Sequence, residues 1–200
     1  MLHQHPGGLE LTKMVVDYCG FAPGAKIVDI GCGAGVTVEY LCGNYKLQAV
    51  GVDISLERLQ QGHRRSPGLA LIQASGDHLP FANGTYDGVI AECSLSVIQQ
   101  QETVLAECAR VLTKGGKLAI TDMYCLDDDN NAGYLNNNFL LKILRESGFK
   151  VVIWEDHSTL LRQFVASYIM KYGTVEKLRQ CLSIPKIKLG YFLLVAEKKT

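Results

Sequence analysis

The stretch Ile27-Val28-Asp29-Ile30-Gly31-Cys32-Gly33-Ala34-Gly35 decides how the rest of the chain is read. Its first four residues form an apolar and acidic run suited to a short buried strand. Glycines then recur at every second position, and Val36 to Leu41 resumes a pattern compatible with a helix. A strand, a glycine turn and a helix together bring bare backbone N–H groups up to a ligand. A Cβ at these glycines would block the ligand or forbid the backbone angles.

Outward from this stretch, strands and helices alternate. A helix over Leu9 to Cys19 precedes it, carrying Leu11, Met14, Val15 and Tyr18 at helical spacing and ending at Gly20 and Pro23-Gly24. After it, Gly43-Asn44 marks a turn and Leu47 to Ile54 reads as strand two. Ser55 caps a helix to about Arg65, and Leu69 to Ser75 is strand three. Strand four is Tyr86 to Glu92, a helix spans Gln101 to Leu112, and Lys117 to Met123 is strand five. This order predicts parallel βαβ units with right-handed crossovers. Beyond it come an Asp/Asn-rich loop at 127–138, a helix over Asn138 to Glu146 and strand six at Lys150 to Trp154. A helix over Ser158 to Tyr172, a shorter one over Val175 to Leu182 and a last strand at Leu189 to Ala196 complete the chain. With no repeat, low-complexity tract or linker in its 200 residues, the chain reads as one domain over residues 1–200, an α/β Rossmann-like fold.

Composition removes several function classes. Twenty basic and twenty acidic residues cancel, and neither a basic excess nor a basic stripe suggests nucleic acid. No apolar run approaches the roughly 18 residues of a membrane span, and no charged start with an apolar run suggests a secretion signal. Seven cysteines without C-x-x-C spacing favour a reduced, cytoplasmic protein over a disulfide framework or a zinc cluster. Asp127-Asp128-Asp129 lacks the spacing of a calcium loop. The expectation is therefore no metal, no nucleic acid and a small-molecule partner, with a monomer or homodimer left open.

Three ligands compete for the glycine loop. A nucleoside triphosphate needs a lysine in the loop, and none stands between Lys26 and Lys46. A dinucleotide fingerprint needs glycine at position 36, where Val36 stands. S-adenosyl-L-methionine offers an ammonium, ribose hydroxyls, an adenine amine and a sulfonium, and acids occur in that order. Asp29 suits the ammonium, and Gly31, Cys32, Gly33 and Gly35 suit the methionyl chain. Asp53, followed by Ile54, ends strand two and suits the ribose. Ser75, Gly76, Asp77 and His78 follow strand three beside the adenine, while Glu92 and Cys93 end strand four beside the transferable methyl. Acids at the ends of successive strands sit where an open α/β sheet binds its ligand.

These residues, with Gly51-Val52-Asp53-Ile54-Ser55, Gly76-Asp77-His78-Leu79-Pro80-Phe81, Tyr86-Asp87 and Arg110-Val111-Leu112-Thr113-Lys114-Gly115-Gly116, resemble the class I S-adenosylmethionine-dependent methyltransferases. The branch it looks most like holds the ubiquinone and menaquinone biosynthesis methyltransferases. The resemblance covers about Ala25 to Asp122. Ala34, where Thr or Ser is frequent, and the lack of a proline before Gly115-Gly116 are departures. It implies a seven-stranded sheet of order 3-2-1-4-5-7-6 with the last strand antiparallel. It also implies methyl transfer to a small molecule, with S-adenosyl-L-homocysteine as product. A non-catalytic cofactor-binding protein and a nicotinamide-dependent oxidoreductase are the alternatives.

No catalytic residue stands out, because in-line methyl transfer needs positioning and water exclusion more than a particular side chain. His3 and His5 in the N-terminal segment are candidates for base or acceptor contact. Cys93 reads as a buried thiol whose backbone, rather than sulfur, matters. Ser94, Ser96, Tyr124 and His157 follow strands four, five and six on the substrate side. The helical insertion at 158–185 reads as a cap over the pocket, with core or a dimer surface as the other readings.

Overall fold

The computed structural model describes residues 5–126, 135–173 and 188–199. In chain order these contain α1 (Gly8–Cys19), β1 (Lys26–Ile30), α2 (Val36–Tyr45), β2 (Gln48–Asp53), α3 (Leu56–Arg65) and β3 (Leu71–Gln73). After them come β4 (Tyr86–Glu92), α4 (Gln101–Val111), β5 (Leu112–Cys125), α5 (Asn137–Glu146), β6 (Phe149–Asp156), α6 (Ser158–Tyr172) and β7 (Leu189–Lys198). A 3-10 turn, Leu95–Val97, follows β4.

The seven strands form one sheet in the order β3-β2-β1-β4-β5-β7-β6, as the resemblance implied. β1 pairs in parallel with β2 on one side and β4 on the other. β7 runs antiparallel to both β5 and β6. The chain therefore leaves β1 toward β2 and β3 and then crosses to β4, which opens a crevice at the carboxyl end of β1.

Sheet burial on both faces explains why Ile27, Val28 and Ile30 of β1 are apolar on either side of the strand. Val28 and Ile30 face a core with Leu105, Cys108 and Phe192, and Ile27 faces one with Val15, Leu41 and Tyr191. β7 is fully buried from Gly190 to Ala196, consistent with an antiparallel strand placed inside the sheet. On the first face, Trp154 of β6 stacks on Phe192 of β7, ring centres 4.7 Å apart. On the other, α1 lies over β5 and β7.

Boundaries differ from the sequence reading in three informative places. Gly43-Asn44 is not a turn: α2 continues to Tyr45, and the chain reverses at Lys46, whose φ of 56° puts it in the left-handed region. The interior of a packed helix tolerates Gly43 at a cost of about 1 kcal/mol, which is less than breaking the packing of Val38 and Leu41. β5 starts at Leu112 rather than Lys117, because Gly115 at φ 74° absorbs a register shift against β4 between Tyr86 and Gly88. β3 is only Leu71–Gln73, an edge strand paired on one side. The proposed Val175 to Leu182 helix and the Asp127-Asp128-Asp129 loop lie outside the described residues, as does His3.

Candidate functional site

Gly31, Gly33 and Gly35 all have positive φ (75°, 55° and 72°), so the loop after β1 is a run of left-handed turns that L-residues rarely adopt. Space adds a second demand at Gly31, where a Cβ would lie 2.5 Å from the Cβ of Ser94. The loop is pinned from below, since Gly31 and Cys32 donate backbone N–H bonds to the Val52 carbonyl. Cys32 turns its side chain inward against Gly51 and Val38, leaving backbone at the surface of the cleft.

Asp53 ends β2 and is 8% exposed. One carboxylate oxygen accepts the Gly33 N–H at 2.8 Å, and the other accepts the Ser55 N–H at 2.8 Å. It thus fixes the glycine loop and the start of α3, with lone pairs left toward the cleft. Ser55 caps α3 as expected, its hydroxyl accepting from the Arg58 N–H.

Two clefts meet over Gly31 and Cys93. The first, about 630 Å³, is lined by Asp53, Ile54, Ser75, Gly76 and Asp77 on one side and by Cys93, Ser94 and Val97 to Gln100 on the other. The second, about 510 Å³, is lined by His5, Gly8, Asp29, Cys32, Thr37, Glu92 and Cys93. Twelve of the thirteen residues predicted from the sequence lie on this crevice or in the loop that shapes it. His78 is exposed and lines neither cleft, although it closes the turn by a bridge to Ser75.

The second cleft carries acids at its floor, Asp29 and Glu92, and the guanidinium side chains of Arg58 and Arg65 on its α3 side. Asp29 is 2% exposed, and its Oδ2 has no hydrogen-bond partner. Burial first, then the Glu92 and Asp53 carboxylates, push its carboxyl well above the usual range. Glu92 is held by the Thr12 hydroxyl at 3.0 and 3.2 Å and by the Thr37 hydroxyl at 2.9 Å, with His5 Nε2 at 3.6 Å. One buried carboxyl oxygen of Asp29 thus stands without a donor near the carboxylates of Glu92 and Asp53.

Cys93 is the one non-glycine residue of the site with positive φ, at 50°. This kink turns the chain from β4 into the wall of the first cleft. Its Sγ sits 3.2 Å from the Tyr191 hydroxyl, and burial pushes the thiol well above its usual range. Cys93 is half-buried and lines both clefts, with its thiol turned to the Tyr191 hydroxyl. Among the described residues no cluster of three His, Cys, Asp or Glu is arranged to hold a metal.

A family model described as a methyltransferase domain matches residues 28–120. The O-methyltransferase cnsE of Penicillium expansum is 32% identical across 96% of this chain and 78% of its own length. The chain belongs to the class I S-adenosylmethionine-dependent methyltransferases. The demethylmenaquinone methyltransferase of Renibacterium salmoninarum is 34% identical over 55% of this chain and 46% of its own length, which agrees with the branch the sequence resembles. The fold is shared with phosphoethanolamine N-methyltransferase 2 of Haemonchus contortus, solved with S-adenosyl-L-methionine. There the TM-score is 0.83 and the identity 17% over 98% of this chain and 54% of that one.

As a methyltransferase, the protein uses S-adenosyl-L-methionine to methylate a small molecule. The residues present fit that donor: a buried carboxylate with one partnerless oxygen lies at one end of the crevice, and a deep cleft flanked by Asp53 and Asp77 lies at the other. Sequence reasoning missed Thr12 and Thr37. Both are polar residues within apolar helix faces, a signal that was there to be read. It also missed the Val97 to Gln100 wall, which carries no motif.

Proposed function

We propose that the crevice holds S-adenosyl-L-methionine along its length, with each predicted residue in a distinct role. Asp29 takes the ammonium, and the Gly31 to Gly35 backbone takes the methionyl chain. Asp53 accepts from the ribose hydroxyls, Asp77 accepts from the adenine amine, and Ile54 flanks the ring. Glu92 and Cys93 face the sulfonium end. The observation that carries this reading is the partnerless Asp29 Oδ2 at the mouth of a glycine loop whose other anchor is Asp53.

When bound, this donor supplies a methyl group made electrophilic by the adjacent sulfonium. The chain's own work is to hold the acceptor in line and exclude water. The acceptor side is bounded by the N-terminal segment and α6: a Cβ on Gly7 would meet Leu160 of α6 at 3.0 Å, so the two pack closely. Leu161 of α6 is itself part of the core, with Leu160 and Val165 packed against it, so α6 serves the core as well as any cap. His5 lines the cleft beside Glu92 with its Nδ1 3.1 Å from the Pro6 carbonyl, and it is our candidate to take a proton from the acceptor. Because the relative that spans nearly the whole chain is named an O-methyltransferase, we read the acceptor atom as a hydroxyl oxygen.

We further infer a single domain over residues 1–200, acting as monomer or homodimer without nucleic acid. The free thiols of Cys19, Cys32, Cys42, Cys93 and Cys108 support a reducing cytoplasm. Among those residues no helix is long and apolar enough to cross a membrane. The test is release of S-adenosyl-L-homocysteine on incubation with the donor and a panel of phenols, amines and thiols. Turnover with phenols alone supports the reading. Turnover with amines or thiols instead refutes the oxygen assignment, and donor binding without turnover on any acceptor favours a non-catalytic binding protein.

A further inference from the structure

The wall of the first cleft opposite Asp53 is a short segment anchored in the core by Leu95, with Ile98 packed against it. Cys93 leads into it, Ser94 presses on Gly31, and the 3-10 turn Leu95–Val97 carries it to Gln100. Val97 is 63% exposed, its apolar side chain standing in the cleft rather than in the core. Two side chains tie the turn down. Gln101 donates its amide to the Leu95 carbonyl at 3.2 Å, and Asp122 of β5 holds Ser96.

The second tie is unusual. Asp122 has no exposed surface. The titratable groups facing it are Cys93, on the segment after β4, and Tyr191 of β7, and neither is a cation. Its carboxylate is satisfied by donors instead: the Ser96 N–H at 2.9 Å, the Ser96 hydroxyl at 2.5 Å and the Met123 N–H at 2.7 Å. An uncompensated buried carboxylate is costly, and an amide or apolar side chain would fill the end of β5 at less cost. What the carboxylate alone provides is acceptor capacity for both donors of Ser96 at once.

We propose that Asp122 is a positioning residue for cofactor recognition: through Ser96 it sets the wall from Cys93 to Gln100 at the spacing the adenosyl group requires, without touching that group. This rests on the assignment of the first cleft to the adenosine half. Because Ser94 abuts Gly31, a wall that slackens also shifts the glycine loop. Burial raises the Asp122 carboxyl to about 6, against the opposing pull of its donors. Protonation below that value removes an acceptor site, so the wall is held best when the group is ionised.

The test is calorimetric binding of S-adenosyl-L-homocysteine and of 5′-methylthioadenosine, with thermal unfolding alongside, for the wild type, Asp122→Asn, Ser96→Ala and Ser96→Thr. Ser96→Ala should fold and bind both ligands about tenfold more weakly, the scale of one hydrogen bond to a charged group. Ser96→Thr, which keeps the hydroxyl, should bind within threefold of wild type. With any accepted substrate the loss should appear in KM for the donor while kcat stays within about twofold. Lowering the pH from 7.5 to 5.5 should weaken binding in the wild type more than in Asp122→Asn. Ser96→Ala binding both ligands as the wild type does would overturn the proposal, as would identical pH profiles for the wild type and Asp122→Asn. A wild type that binds neither ligand would overturn the cleft assignment itself, a result distinct from both.

Discussion

Replacing Asp29 with Asn separates what this residue does for the fold from what it does for the ligand. The substitution keeps the shape of the side chain and removes its charge. In the free protein that charge is a burden: the group is buried, one oxygen has no donor, and Glu92 and Asp53 raise its pKa further. An acid whose folded pKa lies above its ordinary 3.8 binds more protons in the native state than in the unfolded one. The stability it contributes is therefore lost as the pH rises from about 3.8 through the folded value. Asp29→Asn removes that loss, so its thermal midpoint at pH 7 should not fall. Each kcal/mol of relief would raise it by about 2–4 °C for a chain of this size.

Ligand binding should move the other way. A charge-assisted hydrogen bond is worth about 1.5–3 kcal/mol, or roughly a 10- to 100-fold loss of affinity for S-adenosyl-L-homocysteine. 5′-Methylthioadenosine carries the adenosine and the sulfur but no amino-acid end, so its affinity should change less than threefold. Calorimetry with both ligands, paired with thermal unfolding, reads all three quantities. If the two ligands weaken in parallel, Asp29 acts by shaping the loop and its ammonium role is refuted. Unchanged affinity for both refutes it equally.

Asp53→Ala should weaken both ligands by about 10- to 100-fold and lower the thermal midpoint, since the Gly33 and Ser55 N–H groups lose their acceptors along with the ribose. Selective loss of only one ligand would contradict the ribose assignment. Cys93→Ala should retain kcat within about twofold, because the thiol is held neutral; a hundredfold loss would restore a chemical role for the sulfur. For Asp122 the folded pKa of about 6 exceeds its ordinary 3.8, so ionisation costs stability as pH rises through that window. In urea titrations the wild type should lose about 1 kcal/mol relative to Asp122→Asn between pH 5 and 7.5, and a flat difference would place the group's titration elsewhere.

The sheet was legible because parallel strands buried on both faces must be apolar throughout, and Ile27, Val28 and Ile30 or Val89 and Ile90 satisfy that with few substitutes. Strand ends were harder to read, since β5 takes in Gly115 through a register shift that no local propensity announces. Gly43 misled because a glycine in a helix reads as a stop until the packing of Val38 and Leu41 is known. For the site, Asp29, Asp53 and Asp77 could be read because strand ends and glycine spacing fix their places in space. Thr12 lies 80 residues from Glu92 in sequence, and nothing short of the packed α1 brings them together. Asp122 fell within strand five without being singled out, because its partner Ser96 lies in a turn without a pattern.

Glu92 joins parts of the fold that are far apart in sequence. Thr37 reaches it from α2, directly after the glycine loop, and Thr12 reaches it from α1. His5 approaches from the same N-terminal segment whose Gly7 packs on Leu160 of α6. One buried carboxylate thus joins the helix that follows the glycine loop to the N-terminal segment packed on α6. Coupling of this kind needs a continuous set of contacts with differential affinity for two arrangements. Here the contacts run from Leu160 to Gly7, along the chain to His5 and Thr12, to Glu92, and on to Thr37. With the donor's ammonium at Asp29, as proposed above, the bound ligand would lie beside Glu92 and so beside the N-terminal segment that carries His5. In-line methyl transfer gains from that arrangement, because its catalysis lies in bringing two bound groups into register with water shut out.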